Sequence, residues 1–490
     1  MPPDSATPRR LDALLLAAPA LIAYALLGQQ TFYKIDGPFL VDGIARHAMV
    51  HHNHTFYFPL ARLLGFAGAW LGWTNYECAR AFSALGTALG VFMVHVTCRT
   101  LGLSRGRCNL VTALVAASGP VVFFATVAEV HGPFFAFAGI ALWTAARFVR
   151  DPRPATALVL GLGLGLAYVA HPTGVLMAAM LPWLLILARP DLLDPHRLRL
   201  PRRVVGLGAL SGAVVGAVIA LAPPLLRRLF GATTAAGEAV EYLLRNTSAL
   251  TDPLAYGEAF AEEWLLPFLP LSALALLSLV RERRTLTIVA ALVALLPYLL
   301  TCVLLLAGYD EQGAYLLPLA LPTAMQAVRV LPRRAAAIAV VLAATSGVSV
   351  YQVVHHDRAP RRALAEGIVA AAGGRPAFLL LGDRADLEAF QLHLCRDFAV
   401  GEDVLFLGDI GRGSAESMRV KLAQLDALLD RKRLEGRTTY VSEGAFEQLR
   451  ILERTGLGAA AGMIVRHLQA RYELRSVTAA GFRGFRLQQR

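Results

Sequence analysis

Apolar stretches of bilayer length recur through almost all of the first 350 residues of the chain. A run of about 17–25 apolar residues is long enough to cross a hydrocarbon core, and only a helix satisfies its own backbone there. Eleven such runs stand out, at roughly 11–28, 79–98, 109–127, 133–149, 155–170, 173–188, 204–223, 264–280, 285–307, 314–329 and 335–353. Composition agrees. Of the 490 residues, 56% are hydrophobic and 17% charged, against about 25% charged in a soluble domain. The expected class is a mainly α, polytopic helix bundle of about 11 spans.

The net charge of +12 would suggest nucleic acid in a soluble protein. Here its distribution supplies another reason. With a cytoplasmic N-terminus, the inner loops hold Arg99, Arg105 and Arg107, then Arg147, Arg150 and Arg153. They continue with Arg189, Arg197, Arg199, Arg202 and Arg203, with Arg281, Arg283 and Arg284, and with Arg329, Arg333 and Arg334. Every short basic loop falls on one side, as the positive-inside rule requires. The bilayer is therefore the expected partner and nucleic acid is not. Arg9 and Arg10 precede the first apolar run, which reads as an uncleaved first helix because many spans follow. All basic residues but Lys34, Lys421 and Lys432 are Arg, a coding bias of GC-rich bacterial genomes. The expected location is the bacterial inner membrane. The five cysteines form no CxxC pair, so neither a disulfide framework nor a zinc site is expected.

Residues 355–490 have a soluble composition. Apolar runs at 377–381, 404–407 and 438–441 read as strands, alternating with helices through 395, over about 414–434 and over 445–454. This implies a small α/β domain with a mostly parallel sheet. The chain is thus divided into a membrane part, 1–354, and a C-terminal extracytoplasmic domain, 355–490, read as accessory. Gly161, Gly163 and Gly165 lack the dinucleotide spacing and read as close helix packing, as do Gly208, Gly212 and Gly216. The Gly408–Gly413 loop reads as a tight strand–helix turn in preference to a phosphate cradle.

Ionisable residues gather on the side opposite the basic loops, where they are candidates for function. The first outer loop carries Asp36 and Asp42, then Arg46, His47, His51, His52 and His54, with Arg62 beyond. A carboxylate at the low-dielectric boundary can serve as a general base, and Lys34, Arg46 and the histidines can hold an anionic phosphate. Adjacent histidines rarely point at one ion, so a metal site is the weaker reading. Three short turns add Glu129 and His131, His171, and Asp310 and Glu311 with Tyr315. Singly each reads as a helix end; together they converge on one face.

These features resemble the polytopic GT-C glycosyltransferases, and within them the bacterial relatives of protein O-mannosyltransferases. The resemblance covers about residues 10–330. It rests on the acidic first loop, the stretch Phe58-Pro-Leu-Ala-Arg-Leu-Leu64, Ala79-Arg-Ala-Phe-Ser-Ala-Leu85, Arg99-Thr-Leu-Gly-Leu-Ser104, Ala128-Glu-Val130, Gly165-Leu-Ala-Tyr-Val-Ala-His171 and Tyr315-Leu-Leu-Pro318. The resemblance implies transfer of a hexosyl or mannosyl-type sugar, with inversion, from a polyprenyl-phosphate donor to a hydroxyl of a protein or glycan acceptor on the outer face. Asp36, Asp42 and Glu129 are then the catalytic candidates, with Asp36 first. Arg46, His52, His54 and Arg62 are the phosphate-binding candidates. His131, His171, Asp310, Glu311 and Tyr315 are the acceptor or substrate-binding candidates. No cofactor is required, and a divalent cation is left open. Other lipid-linked glycan enzymes, ligases or polymerases, lean more on Arg and His. A transporter or flippase of lipid-linked sugars would place ionisable groups in mid-span and show inverted repeats; only His95 lies clearly within a span.

Overall fold

The computed structural model describes residues 7–34, 36–48, 51, 54–188, 202–229, 247–282, 285–306, 311–330, 340–341, 343–344, 359–412, 415–456, 458 and 460–490. Helices dominate. In order they begin α1 (Thr7–Leu26), α2 (Asp36–Ala45), α3 (Tyr57–Trp70), α4 (Asn75–Thr100), α5 (Arg105–Ala117), α6 (Gly119–Thr126), α7 (His131–Arg150), α8 (Pro154–Ala170), α9 (Leu181–Ala188) and α10 (Arg202–Leu229). Further apolar helices span Leu271–Glu282, Thr285–Leu306 and Ala320–Val330.

Ten of the eleven expected spans coincide with helix. Among the described residues, four single helices are long and apolar enough to cross a membrane: α4, α7, the Val205–Ala222 part of α10, and Thr285–Leu304. Helices α5 and α6 pass the same test only as a pair bent by 58°, the geometry of a broken span or of a re-entrant loop. The others are shorter, at Leu11–Leu26, Pro154–Ala170, Pro172–Leu187 and Leu271–Arg281, or are built from a 3-10 turn and a helix, at Ala314–Leu319 and Ala320–Val330. Most of the eleventh, 335–353, lies outside the described residues.

By contacts the chain divides into two units. The first is Met1–Gly28, Met49–Leu60 and Arg80–Val353; the second is Gln29–Ala48, Ala61–Ala79 and Val354–Arg490. The first unit is the apolar bundle. There Gly161 and Gly165 of α8 meet Val214 and Val218 of α10, where a Cβ would lie at 2.6 and 2.7 Å from those side chains. The close-packing reading of that motif therefore has a partner. Gly208, Gly212 and Gly216 do not follow it, because a Cβ there would meet nothing within 4 Å. His95, the one mid-span histidine, lies 3.1 Å from Asn109 of α5, helix to helix.

In the second unit a five-stranded sheet has the order β2-β1-β3-β5-β4, with β1 Ala377–Leu381, β2 Val404–Phe406, β3 Thr438–Ser442, β4 Tyr472–Ala479 and β5 Phe482–Gln489. Strands β1, β2 and β3 are parallel; β5 joins β3 antiparallel and pairs with β4. Both faces of β1 are covered, as in a parallel sheet. Phe378 and Leu380 pack with Met418, Leu422, Leu425 and Leu429 on one side. Ala377, Leu379 and Leu381 pack with Leu364, Ile368, Ala389 and Leu392 on the other. The three expected strands and the amphipathic helix Ala415–Leu434 are all present. The hairpin and the helices Ala359–Ala372 and Ala461–Arg471 are additions. The unit also takes in two N-terminal stretches, so α2 folds with the C-terminal sheet.

Candidate functional site

In the first unit the short turns expected to converge do so through their rings. His171 ends α8 and begins the 3-10 segment Pro172–Met180. Its Nδ1 accepts from the Thr173 backbone N–H at 3.2 Å and lies 2.7 Å from the Thr173 hydroxyl, which fixes the ring. His131 opens α7. The His171 ring stacks on His54 at 4.8 Å and 25°, and lies 5.1 Å from His131 and 4.9 Å from Phe134. His54 in turn lies 4.7 Å from His51. Tyr315, in the segment Ala314–Leu319, sits 5.6 Å from His131 and 5.7 Å from His171. Four imidazoles and a phenol from four separated stretches thus form one cluster. A small pocket beside it is lined by His54, Tyr57, Leu60, Phe82, Val130 and Phe137.

Glu129 is buried in the turn before α7. Its backbone N–H donates to the Ser83 hydroxyl at 3.2 Å, and that hydroxyl donates to the Glu129 carbonyl at 2.9 Å. Its carboxylate accepts the Val130 N–H at 3.0 Å, folding back on its own turn.

Glu263 was not apparent in the sequence. It is 2% exposed, in the π-helical turn Phe260–Leu265. One oxygen accepts the Glu311 N–H at 2.7 Å and the other the Gly313 N–H at 2.9 Å. Gly313 has φ 77°, and a Cβ there would lie 2.9 Å from the Glu263 carbonyl. Only glycine fits both demands. Glu263 therefore fixes the turn that leads into Tyr315. The signal for it was an acidic doublet at the edge of an apolar run.

The two acids of the first loop occupy opposite environments in the second unit. Asp36 opens α2 and is exposed. Asp42 has no exposed side chain and lies 2.6 Å from Arg46 and 3.2 Å from Arg384. Burial pushes its carboxyl above the usual carboxylate range, and the two guanidiniums pull it back. Arg46, expected to hold phosphate, is thereby tied to Asp42. Arg62 is half-buried in α3. Arg384 was also missed; it follows β1, at the carboxyl end of a parallel strand, where α/β folds place functional groups. In the Gly408–Gly413 region, the Gly408 N–H donates to the Gly382 carbonyl at 2.5 Å and Arg412 pairs with Asp383. In place of the expected tight turn, a short helix, Leu407–Gly411, follows β2 directly, and Gly413 lies outside the described residues.

His52 and Asp310 lie outside the described residues. Among those described, no three His, Cys, Asp or Glu side chains are grouped to hold a metal ion. The divalent cation left open by the sequence therefore has no ligand set among the described residues.

The sequence matches no protein-family model and no curated protein. Solved structures do match. The crystal structure of ArnT from Cupriavidus metallidurans bound to undecaprenyl phosphate aligns with a TM-score of 0.54 at 13% identity, over 97% of each chain. The Saccharomyces cerevisiae O-mannosyltransferase Pmt1–Pmt2 bound to its sugar donor aligns over 44% of this chain and 33% of that one, at 18% identity and a TM-score of 0.30. The Archaeoglobus fulgidus oligosaccharyltransferase, in complex with Zn and sulfate, aligns over 78% of this chain and 62% of that one, at 11% identity and a TM-score of 0.42. At these identities a likeness speaks for architecture, and over its whole described length this chain has the GT-C fold: a polytopic helix bundle followed by a C-terminal α/β domain.

Proposed function

We propose that the protein is a membrane glycosyltransferase. It takes a hexosyl or mannosyl-type sugar from a polyprenyl-phosphate donor and passes it, with inversion, to a hydroxyl of a protein or glycan acceptor on the outer face of a bacterial inner membrane. The observation that carries this reading is the cluster of His51, His54, His131, His171 and Tyr315. It is set in a fold shared from end to end with a protein that binds undecaprenyl phosphate. The stacked pair His54 and His171, with buried His131 and half-buried His51, offers flat faces to a sugar ring and donors to a phosphate beside a small pocket.

In the step proposed, the acceptor oxygen attacks the anomeric carbon as its proton passes to the carboxylate of Asp36. The bond from that carbon to the phosphate oxygen breaks, and the polyprenyl phosphate leaves with the electron pair. Asp36 is preferred to Asp42 because an exposed carboxylate can receive a proton from a substrate, whereas one enclosed by two arginines cannot readily do so. His54 stabilises the departing phosphate by donating to it, with Arg46, Arg62 and His52 as further donors. His131, His171, Glu311, Asp310 and Tyr315 hold the acceptor or the sugar. Glu129 is too tightly bound to its own turn to move, and its part is to hold α7 and His131 in place.

The test is transfer by the purified protein in liposomes, offered a panel of undecaprenyl-phosphate-linked hexoses and read by release of undecaprenyl phosphate. One donor should turn over, and more slowly with Asp36→Asn. Absence of both turnover and donor binding across the panel would refute the reading.

A further inference from the structure

The second unit holds an arrangement that the chemistry above does not use. Helix α2 carries Asp36 at its first turn, and most of its other residues are buried: Gly37, Pro38, Leu40, Val41, Asp42, Gly43 and Ile44. What buries them comes partly from the C-terminal region. Arg384 lies 3.2 Å from Asp42 and 3.4 Å from Asp409, and its guanidinium sits 4.7 Å over the Phe39 ring and 5.7 Å over the Phe406 ring. It is 15% exposed. A guanidinium has a planar fork for two carboxylates and flat faces for two rings, a combination lysine lacks. The approach to α2 is fixed as well: the Tyr76 hydroxyl lies 2.7 Å from the Gln29 carbonyl and 3.2 Å from the Thr31 carbonyl. Phe32 packs against Tyr76, Phe390 and His393. The Asn75 N–H, at the start of α4, donates to Asp397 at 2.7 Å.

We infer that Arg384 is a positioning residue for glycosyl transfer: by bridging Asp42 and Phe39 of α2 to Asp409 and Phe406 of the C-terminal sheet, it sets the place of Asp36. The inference rests on the reading of Asp36 as base. It makes the C-terminal domain part of the machinery that aims the acid, where the sequence suggested an accessory role. A displacement of about 1 Å at a reacting group can cost on the order of 100-fold in rate. Loss of the bridge is therefore felt in turnover more than in donor affinity.

The test uses the full chain in liposomes and two readouts. Hydrogen exchange of the amides of 36–45 reports α2 directly. Release of undecaprenyl phosphate from a donor that turns over reports kcat and KM. Arg384→Ala should raise exchange in α2 while leaving α7 and α8 unchanged. It should lower kcat about 10- to 100-fold with KM for the donor within about threefold. In an Asp36→Asn background, Arg384→Ala should cost nothing further, since it acts through that acid. Arg384→Lys should recover only part of the loss, and Arg475→Ala, on exposed β4, should change neither readout. Should Arg384→Ala fail to fold, Asp42→Asn breaks the same bridge from the other side and is read identically. Unchanged exchange in α2, or raised exchange with normal kcat, overturns the inference. Normal turnover of Asp36→Asn alone overturns the role of Asp36, and exchange then remains the test of the Arg384 bridge.

Discussion

Asp36 and Asp42 lie six residues apart and differ in what mutation should do to them. Asp36 is exposed in the first turn of α2, so Asp36→Asn should cost no more than a helix-start acid contributes, about 0.3–1 kcal/mol, a small drop in thermal midpoint. It should lower turnover by about 10²–10⁴, the usual contribution of a general base. Asp42→Asn should do the reverse in kind. It leaves Arg384 with Asp409 alone and takes an acceptor from a fully buried site. The cost should be about 1–3 kcal/mol of stability, read as a lower thermal midpoint, with turnover reduced only as α2 moves. A stable, inactive Asp42→Asn protein beside a fully active Asp36→Asn protein would exchange the two roles. At the same scale, His54→Ala should weaken undecaprenyl phosphate binding by about tenfold, as expected on losing a charged contact worth about 1.5 kcal/mol. Binding equal to wild type, measured by isothermal titration in detergent, would remove the phosphate from that cluster. The sequence showed the histidines and the acids, because such residues are conspicuous at a membrane edge. Which acid is enclosed and which is exposed depends on Arg384, more than 300 residues away in sequence, and no local pattern carries that.

Elements explain what could be read and what could not. The spans were legible because their apolar length is fixed by the bilayer. Strand β1 and the helix Ala415–Leu434 were legible because both are amphipathic or fully buried in a period that matches their structure. Helix α2 read as loop, although Asp36-Gly-Pro38 is a helix-start signal, with an acid and a proline in the first turn. Strands β4 and β5 were missed because they form an exposed edge hairpin with mixed polar faces: the β4 sequence YELRSVTA has only Tyr472 buried. The helix Leu387–Cys395 supplies a prediction of its own. His393 on it is buried, with Phe398 at 4.2 Å and Phe32 at 6.0 Å. Burial, helped by Arg384, pushes its pKa from 6.5 down to about 3. Below pH 6.5 the unfolded chain takes up a proton that the folded chain refuses, so stability falls as pH drops from about 6.5 toward about 3. His393→Phe should flatten that fall. The measurement is hydrogen exchange of β1 and β3 at pH 7.5 and 5.0, corrected for intrinsic rates. An equal loss of protection in wild type and variant would show that His393 stays hydrated and does not govern the acid response.

For the whole molecule, parity decides the topology, and the bent pair α5–α6 decides parity. Counted as one crossing, the pair returns the chain to the outer side at Glu129, and α7 carries it back so that Arg147, Arg150 and Arg153 are cytoplasmic. Counted as a re-entrant loop, the same 58° bend would leave Arg99–Arg107 on one side and move every later basic loop to the other. That would split the positive charge between both faces, against the rule that sets orientation. The clustering of His131, His171 and Tyr315 makes the same demand, since their three turns must share a face. On both counts the pair is expected to form one broken span, with the 58° bend at Ser118 inside a single crossing. One further crossing by the apolar run at 335–353 of the sequence is what the parity model expects, and it puts the C-terminal domain outside. Fusions of a cytoplasm-active and a periplasm-active reporter after Arg150 and after Arg490 should report cytoplasm and exterior respectively. A reporter after Ala128 should agree with the one after Arg490. Agreement between Arg150 and Arg490 would break the parity. If Ala128 reported the cytoplasm, α5 and α6 would be re-entrant, and an outer-face site built from these turns would have to be given up.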